Sequence, residues 1–238
     1  MAKQISFSVQ GLKGVEKREE AVTRIICAGY AGRDQGSVRR HIEELKALGV
    51  PAPEEIPAFY LVPAERVTAG TEITVDGAST SGEVEFVLLK TASGTLVTVG
   101  SDHTDRELEK SDVPLSKAVC PKVIGPTFWH LSDLADHWDR LRLKSSVNVD
   151  GHLVPYQDGY LSELMEPRDI ERRLAESLPA FSSGDMLFSG TIPSKRGLVI
   201  SDLFAMELLD EVSGRSIKHS YKITQRDGQA CGAGRMSR

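Results

Sequence analysis

Two glutamates separated by a single residue, Glu83 and Glu85, lie in an apolar, strand-like segment. Side chains of a β-strand alternate between its two faces, so both carboxylates would project from the same face. Residues 91–94 carry a turn signal, and a second apolar run leads from this turn to Asp102. Two strand-like runs joined by so short a turn predict a β-hairpin.

The register of this hairpin decides whether the three carboxylates meet. If residues 92–93 form a two-residue loop, Glu83 lies opposite Asp102. If residues 93–94 form the loop, Glu85 lies opposite Asp102. Directly opposed residues share one face of a sheet, so either register brings the three side chains together, whereas a three-residue loop would separate them.

Three converging carboxylates repel one another and cost stability unless a cation neutralises them. An all-oxygen ligand set favours a hard divalent ion, Mg²⁺ first, with Mn²⁺ or Ca²⁺ as alternatives. The same pattern is also compatible with the solvated polar face of an edge strand, and the hairpin alone leaves both interpretations open.

A set of further short motifs follows a definite order along the chain. The motifs are His41-Ile-Glu-Glu44, Glu83-Val-Glu85, Asp102-His-Thr-Asp-Arg106, Ser116-Lys117, Gly125-Pro126, Val147-Asn148, Gly184-Asp185 and Ser189-Gly190-Thr191-Ile-Pro193. This order resembles that of the fumarylacetoacetate hydrolase superfamily over roughly residues 25–225. The resemblance favours the metal site over the solvated strand face.

The chain also departs from the superfamily pattern. The connection between Glu85 and Asp102 is shortened to a bare hairpin, Ile192 is inserted in the last motif, and Asp105 replaces the usual alanine before Arg106. These departures indicate a divergent branch, of the kind catalogued as a domain of unknown function.

The resemblance implies a role for each matching residue. Glu83, Glu85 and Asp102 resemble the metal ligands. Lys117 resembles the lysine beside the metal. His41 and Glu44 resemble a proton-transferring dyad on a lid-like helix. Arg106 resembles a structural or substrate-contacting arginine. Thr191 resembles a threonine that contacts the substrate carboxylate.

The implied activity is cleavage of a C–C bond in a small 2-oxo acid, either acylpyruvate-like or oxaloacetate-like. The keto and carboxylate oxygens of such an acid can chelate the ion, which stabilises the enolate formed when the bond breaks. Hydrolysis and decarboxylation both follow this scheme. A hydratase or isomerase on the same scaffold, or a non-catalytic binding protein that retains the fold, remains as an alternative.

Composition excludes several other classes of protein. The 238 residues carry a formal charge of −5 without a basic stripe, so we expect no nucleic-acid partner. No apolar run approaches the roughly 18 residues that span a bilayer, and we expect no membrane association. Three widely spaced cysteines suggest no disulfide framework, and we expect a cytoplasmic protein. The family resemblance implies a homodimer.

The hydrophobic pattern predicts an α+β protein that is mostly β. It predicts a small N-terminal α/β segment over residues 1–57, a β-rich body over 58–230, which the resemblance implies is catalytic, and a frayed tail over 231–238. Within the first segment, residues 15–29 read as a short helix or a helix followed by a strand, and residues 35–48 read as a helix. The resemblance implies that the body is a mixed β-sandwich roll.

Overall fold

The computed structural model describes residues 1–11, 14–47, 52–226 and 235–236. The strands in these ranges are β1 (Lys3–Gly11), β2 (Gly14–Val22), β3 (Arg24–Gly29), β4 (Ala58–Val62), β5 (Val67–Thr68), β6 (Glu72–Val75), β7 (Thr80–Ser81), β8 (Val84–Thr91), β9 (Gly94–Asp102), β10 (Thr104–Asp105), β11 (Lys122–Ile124), β12 (Thr127–His130), β13 (Leu141–Val149), β14 (His152–Tyr160), β15 (Asp185–Phe188), β16 (Val199–Ile200), β17 (Leu203–Asp210), β18 (Arg215–Gln225) and β19 (Arg235–Met236). The helices are α1 (Gln35–Ala47), α2 (Arg106–Glu109), α3 (Val113–Ala118) and α4 (Pro167–Ser177). Short 3₁₀ segments occupy Ala64–Arg66, Leu131–Arg140 and Leu161–Glu163.

A large mixed sheet and a smaller sheet make up the body. The ten-stranded sheet has the order β2-β1-β12-β9-β8-β15-β3-β4, with β11 and β5 attached beside β9. The five-stranded sheet has the order β14-β13-β17-β18-β6. Two further pairs, β10 with β7 and β16 with β19, are separate two-stranded sheets. The predicted class, α+β and mostly β, is confirmed.

Strand β8 lies at the centre of the large sheet and is buried on both faces. Phe86 and Leu88 belong to the apolar cluster that includes side chains of the five-stranded sheet. Val87 and Leu89 belong to a second cluster, which includes side chains of β1 and β3. This alternation follows the period of two expected of a strand. The odd-numbered face, on which Glu85 also lies, is therefore the one that faces the second cluster.

The prediction of a helix within residues 15–29 was wrong. These residues form β2, which pairs antiparallel with β1, and β3, which lies between β15 and β4. The apolar residues of β3, Ile25 and Ile26, are both fully buried because the strand is covered on both faces. Such a strand shows a continuous apolar run, which periodicity alone does not distinguish from a helix.

The predicted division at residue 57 does not coincide with a boundary between sheets. Strand β1 pairs in parallel with β12 and β3 pairs in parallel with β15, so the N-terminal strands are integral to the large sheet. Of the predicted tail, the structure describes only Arg235–Met236, which pair as β19 with β16. Residues 227–234 and 237–238 lie outside the described part of the chain.

Helix α1 agrees with the predicted helix over its described length, and Leu48 lies outside the described residues. Its first turn is capped by Asp34, which accepts hydrogen bonds from the Gly36 amide at 2.9 Å and from the Ser37 hydroxyl at 2.7 Å. Val38 and Ile42 are buried, which fixes one side of the helix against the body. Among the described helices, none is long and apolar enough to cross a membrane.

Candidate metal centre

The hairpin formed by β8 and β9 brings three carboxylates together. Glu85 pairs with Gly100 in the antiparallel register, and the Asp102 amide donates to the Glu83 carbonyl at 3.1 Å. This register, with the loop at residues 92–93, is one of the two that the sequence left open. One ligand oxygen from each of Glu83, Glu85 and Asp102 lies within 4.8 Å of the other two.

Two glycines allow the hairpin to pack this closely. A Cβ atom at Gly100, opposite Glu85, would lie 2.4 Å from a methyl carbon of Val87. A Cβ atom at Gly82, which precedes Glu83, would lie 2.6 Å from the Tyr221 hydroxyl oxygen. Real Cβ atoms do not approach other atoms this closely, so a side chain at either position would displace the strand that carries the carboxylates.

Within the carboxylate cluster, Glu85 is the member that has no ion pair with a described lysine or arginine. Its side chain is 1 % exposed, and one oxygen accepts a hydrogen bond from the Gly190 amide at 3.0 Å. No lysine or arginine among the described residues forms an ion pair with it. Burial raises the pKa of Glu85 well above its usual range, and the charge of Asp102 raises it further. A carboxylate in this environment needs a proton or a cation.

Asp102 is in the opposite situation. Lys117 donates to one of its oxygens at 2.6 Å, and the Lys122 amine lies 3.0 Å from the other. Burial alone would raise the pKa of Asp102, but the two lysines hold it below its usual range. Burial opposes the charge on Lys117, yet the Asp102 carboxylate raises the pKa of Lys117 well above its usual range. Both partners therefore remain charged.

Lys122 was not recognised from the sequence. Its side chain is fully buried, and its amine donates to the carbonyls of His103 at 2.7 Å and Lys117 at 2.6 Å. Lys122 is also the cross-strand neighbour of Asp102 where β11 pairs with β9. The pairing of these two strands is a long-range contact, so the charge pair becomes visible only once the sheet order is known.

Arg106 follows the hairpin in the chain and forms an ion pair with Glu83. Its guanidinium contacts the Glu83 carboxylate at 3.0 Å, donates to the Ser81 hydroxyl at 2.6 Å and pairs with Glu109 at 2.8 Å. The side chain is buried, and Arg106 is not among the described residues that line the cavity below. Of the two roles implied for Arg106, the geometry favours the structural one over substrate contact.

Thr191 reaches the site through a network centred on a buried glutamine. The Thr191 hydroxyl donates to the Val84 carbonyl at 2.7 Å and accepts from the Gln157 amide at 2.7 Å. The Gln157 carbonyl oxygen accepts from the Val84 amide at 3.0 Å. Gln157 thus fixes Thr191 against the start of β8, a contact that the sequence did not reveal.

The predicted dyad falls on helix α1. The backbone of His41 lies in this helix, and its side chain lies outside the described part of the structure. Glu44 is exposed and is not among the described residues that line the cavity. The catalytic roles of His41 and Glu44 therefore stay predictions.

His103 follows Asp102 and points to the opposite side of the strand. Its ring nitrogens lie 3.0 Å from the Thr80 hydroxyl and 3.1 Å from the Tyr221 hydroxyl. Burial, together with the positive charges of Lys122 and Arg106, lowers the pKa of His103 to about 3. A neutral, fully hydrogen-bonded histidine at this position serves the structure rather than the site.

The donor set fits a hard divalent cation. Three cationic side chains contact the carboxylate cluster, but Lys117 and Lys122 pair with Asp102 and Arg106 pairs with Glu83. None of these three side chains pairs with Glu85, so the all-oxygen site lacks one positive charge, beside Glu85. The other cluster carboxylate buried to this degree, Asp102, already has a cation at each oxygen, with the Lys122 amine 3.0 Å from Oδ1. The uncompensated Glu85 carboxylate in an all-oxygen set is therefore what suits an additional hard cation.

Two of the three carboxylates, those of Glu83 and Glu85, line a cavity of about 780 Å³ together with Lys117. Residues 162–164 and the start of α1 form other parts of its wall. Tyr60 lies beside Lys117, whose amine is 5.9 Å from the ring centre, and burial raises the pKa of Tyr60 to about 12. The cavity gives a small molecule access to the carboxylate cluster.

Solved structures share this fold. Cg1458 with inhibitor aligns with a TM-score of 0.63 and 19 % identity, over 90 % of this chain and 81 % of that protein. Yeast ynq8, a fumarylacetoacetate hydrolase family protein, aligns with a TM-score of 0.62 and 19 % identity, over 87 % and 95 % of the two chains. 2-Keto-3-deoxyarabinonate dehydratase aligns with a TM-score of 0.59 and 14 % identity, over 86 % and 73 %.

Sequence comparison adds the family. No curated protein matches the chain. The family model described as a protein of unknown function, DUF2848, matches residues 28–221. The resemblance to a divergent branch catalogued as a domain of unknown function is thereby confirmed. The chain belongs to the DUF2848 family, and its fold is that of the fumarylacetoacetate hydrolase superfamily.

Proposed function

We propose that the protein is a divalent-metal-dependent enzyme that cleaves a C–C bond in a small 2-oxo acid, by hydrolysis or decarboxylation. The observation that carries this proposal is the buried Glu85 carboxylate, which lacks a cation and lines the wall of a cavity. The fold of the superfamily supports an enzyme scaffold, and the all-oxygen cluster supports the metal.

Glu83, Glu85 and Asp102 would hold the ion, with Mg²⁺ as the first candidate and Mn²⁺ or Ca²⁺ as alternatives. A bound ion of this kind supplies Lewis acidity, which polarises the keto group of a chelating 2-oxo acid. Arg106 orients Glu83 through its guanidinium fork, and the Gly190 amide orients Glu85. The ligand side chains are therefore positioned before substrate arrives.

Lys117 contributes a fixed positive charge beside the cluster. Its amine is held by Asp102, its pKa is raised, and it lines the cavity. A charge that stays in place stabilises negative charge developing on a substrate oxygen. Thr191, also in the wall, would contact the substrate carboxylate.

Proton transfer is the least defined step. We propose that His41, with Glu44 fixing its tautomer, activates water or protonates the substrate carbon. Replacing His41 with alanine should lower turnover by about a hundredfold while leaving metal affinity unchanged. Unchanged turnover in this variant would remove the dyad from the mechanism and leave the metal centre intact.

Hydration, dehydration or isomerisation is the second candidate. The observation that favours it is the shared fold with a solved structure named as 2-keto-3-deoxyarabinonate dehydratase. The residues that would bind and polarise a 2-oxo acid are the same in both schemes. Product mass separates them, because cleavage yields two fragments or loses carbon dioxide, whereas hydration adds water, dehydration removes water and isomerisation leaves the mass unchanged.

The main test combines metal removal with a matched pair of variants. Chelator-treated protein should be inactive on a panel of acylpyruvates and oxaloacetate, and Mg²⁺ or Mn²⁺ should restore activity. Glu83→Ala should abolish both metal binding in calorimetry and activity, whereas Glu107→Ala, at an exposed position of α2, should change neither. Full activity of Glu83→Ala would falsify the proposal, and metal binding without turnover of any substrate would favour a binding protein.

Assembly and compartment remain proposals of the same kind. We propose a homodimer, and sedimentation that gives a clean monomer would contradict it. We also propose a reducing, cytoplasmic environment, since Cys27 and Cys120 are buried free thiols. Fractionation of cells that produce the protein would test this.

A further inference from the structure

The cavity is larger than the head group of a 2-oxo acid requires. Its volume of about 780 Å³ lies within the range of about 300–1,000 Å³ typical of pockets that enclose drug-sized ligands. A chelating keto acid would occupy only the part beside Glu83, Glu85 and Lys117. The rest of the cavity wall is therefore free to contact a second part of the substrate.

Most of this remaining wall is apolar. We call it the apolar wall, and it consists of Ala31, Val38, Tyr60, Leu164, Ile192 and Pro193. Leu164 and Ile192 also belong to the main apolar cluster of the body, so their positions are fixed by packing. A wall of this composition stabilises an aliphatic or aromatic group that leaves water.

The charged residues of the cavity are predominantly acidic. Among its described lining residues, five carry carboxylates and two carry positive charges. The carboxylates belong to Asp34, Glu83, Glu85, Glu109 and Glu163, and the positive charges to Arg33 and Lys117. Even with a divalent ion at the metal centre, the cavity would favour a substrate of low negative charge.

Both positive charges already have acidic partners. Lys117 is paired with Asp102 at 2.6 Å. Arg33 forms a two-pronged pair with Asp139, at 2.8 and 2.7 Å, and donates to the Leu164 carbonyl at 3.0 Å. A second carboxylate on the substrate would thus enter without a free cation to meet it, at a substantial desolvation cost.

We propose that the substrate is a monocarboxylate, a 2-oxo acid whose remaining part is an uncharged, apolar group. The proposal rests on the proposed function and narrows it, because it favours an acylpyruvate-like acid and disfavours a dicarboxylate of the oxaloacetate type. The apolar wall contacts the uncharged apolar group, called the tail, and the metal centre binds the 2-oxo acid group, called the head.

Three chelating probes test the proposed metal centre and the proposed substrate class separately. Oxalate carries only the head, N-hexyl oxamate adds an apolar tail, and N-(5-carboxypentyl) oxamate adds a tail of similar length that ends in a carboxylate. Calorimetry on Mn²⁺-loaded protein measures the affinity of each. We expect N-hexyl oxamate to bind at least about tenfold more tightly than its carboxylated counterpart.

The outcomes distinguish the proposal from the function on which it rests. If none of the three probes binds in a metal-dependent manner, the proposed metal centre is contradicted, and the substrate class that depends on it is contradicted as well. If oxalate binds and the carboxylated tail binds as well as the hexyl tail or better, the proposed function stands and the substrate class is overturned.

A matched pair of variants on α1 tests the location of the tail. Ser37 lines the cavity, and Ser37→Lys adds one positive charge there. Glu43→Gln makes the same change in net charge on the exposed part of this helix, away from the cavity. Only Ser37→Lys should improve binding of the carboxylated probe relative to the hexyl probe, by about threefold to fivefold. Equal ratios in the two variants would overturn the assignment of the tail to this part of the wall.

Discussion

The β8–β9 hairpin and helix α1 both border the cavity, but different forces hold them. The hairpin is buried on both faces, and its Glu85 and Asp102 carboxylates are enclosed by the fold. Helix α1 buries Val38 and Ile42, while most of its other described side chains are exposed. The comparison indicates that loss of a charge-paired hairpin carboxylate such as Asp102 alters folding and function together, whereas changes in the helix can alter function alone.

The largest expected effect is that of Asp102→Asn. Loss of this carboxylate leaves the buried amines of Lys117 and Lys122 without their negative partner. We expect metal-free protein to lose about 3–5 kcal/mol of unfolding free energy, the usual cost of breaking a buried ion pair. Urea denaturation in the presence of chelator measures this.

The control is Asp136→Asn, an exposed aspartate in the 3₁₀ segment Leu131–Arg140, which should change the unfolding free energy by less than about 0.5 kcal/mol. A loss below about 1 kcal/mol for Asp102→Asn would mean that the two lysines find water or other partners. The contrast between the hairpin and the helix would then be weaker than the geometry indicates.

Glu85→Gln should separate metal binding from folding within the same hairpin. The replacement keeps the shape of the side chain and can still accept the hydrogen bond from the Gly190 amide. Because the buried carboxylate lacks a cation, its removal should leave metal-free stability unchanged or higher. Mn²⁺ affinity should fall by at least about a hundredfold, equivalent to about 2.7 kcal/mol.

Calorimetry with Mn²⁺ and urea denaturation with chelator provide the two measurements on Glu85→Gln. Retained Mn²⁺ affinity would exclude Glu85 as a ligand. A loss of metal-free stability similar to that of Asp102→Asn would show that the charge of Glu85 is compensated within the fold, against the geometry described above.

Arg106→Lys should give a smaller effect. A lysine keeps the charge but cannot contact Ser81, Glu83 and Glu109 at once, because it lacks the planar fork. Glu83 would be less well oriented, and Mn²⁺ affinity should fall by about tenfold. Arg172→Lys, on the exposed side of α4, is the control and should have no effect. Equal affinities in both variants would mean that Glu83 keeps its orientation without Arg106.

The sequence predicted those parts of the site that depend on local pattern. The hairpin and the convergence of Glu83, Glu85 and Asp102 follow from alternation and turn length, and the observed register is one of the two that the sequence left open. Lys122 and Gln157 could not be found in this way, because each acts on a strand that is distant along the chain. Their roles depend on sheet order, which a single sequence does not encode locally.

The same limit explains the error in the fold. Residues 15–29 are predicted to form a short helix or a helix followed by a strand, but the charged first part is β2, a mostly exposed edge strand without the alternation of a half-buried strand. The division predicted at residue 57 does not separate two sheets, because β1 and β3 pair in parallel with strands that come much later in the chain.

The smallest expected effect belongs to helix α1. Glu44 is exposed, so Glu44→Gln should change the unfolding free energy by less than about 0.5 kcal/mol. Mn²⁺ affinity should stay within about twofold, since the change removes no carboxylate of the cluster. Urea denaturation and calorimetry measure both quantities, and turnover of the same variant reports on the dyad independently. A stability loss of more than about 2 kcal/mol would mean that changes in α1, like Asp102→Asn in the hairpin, alter folding as well as function.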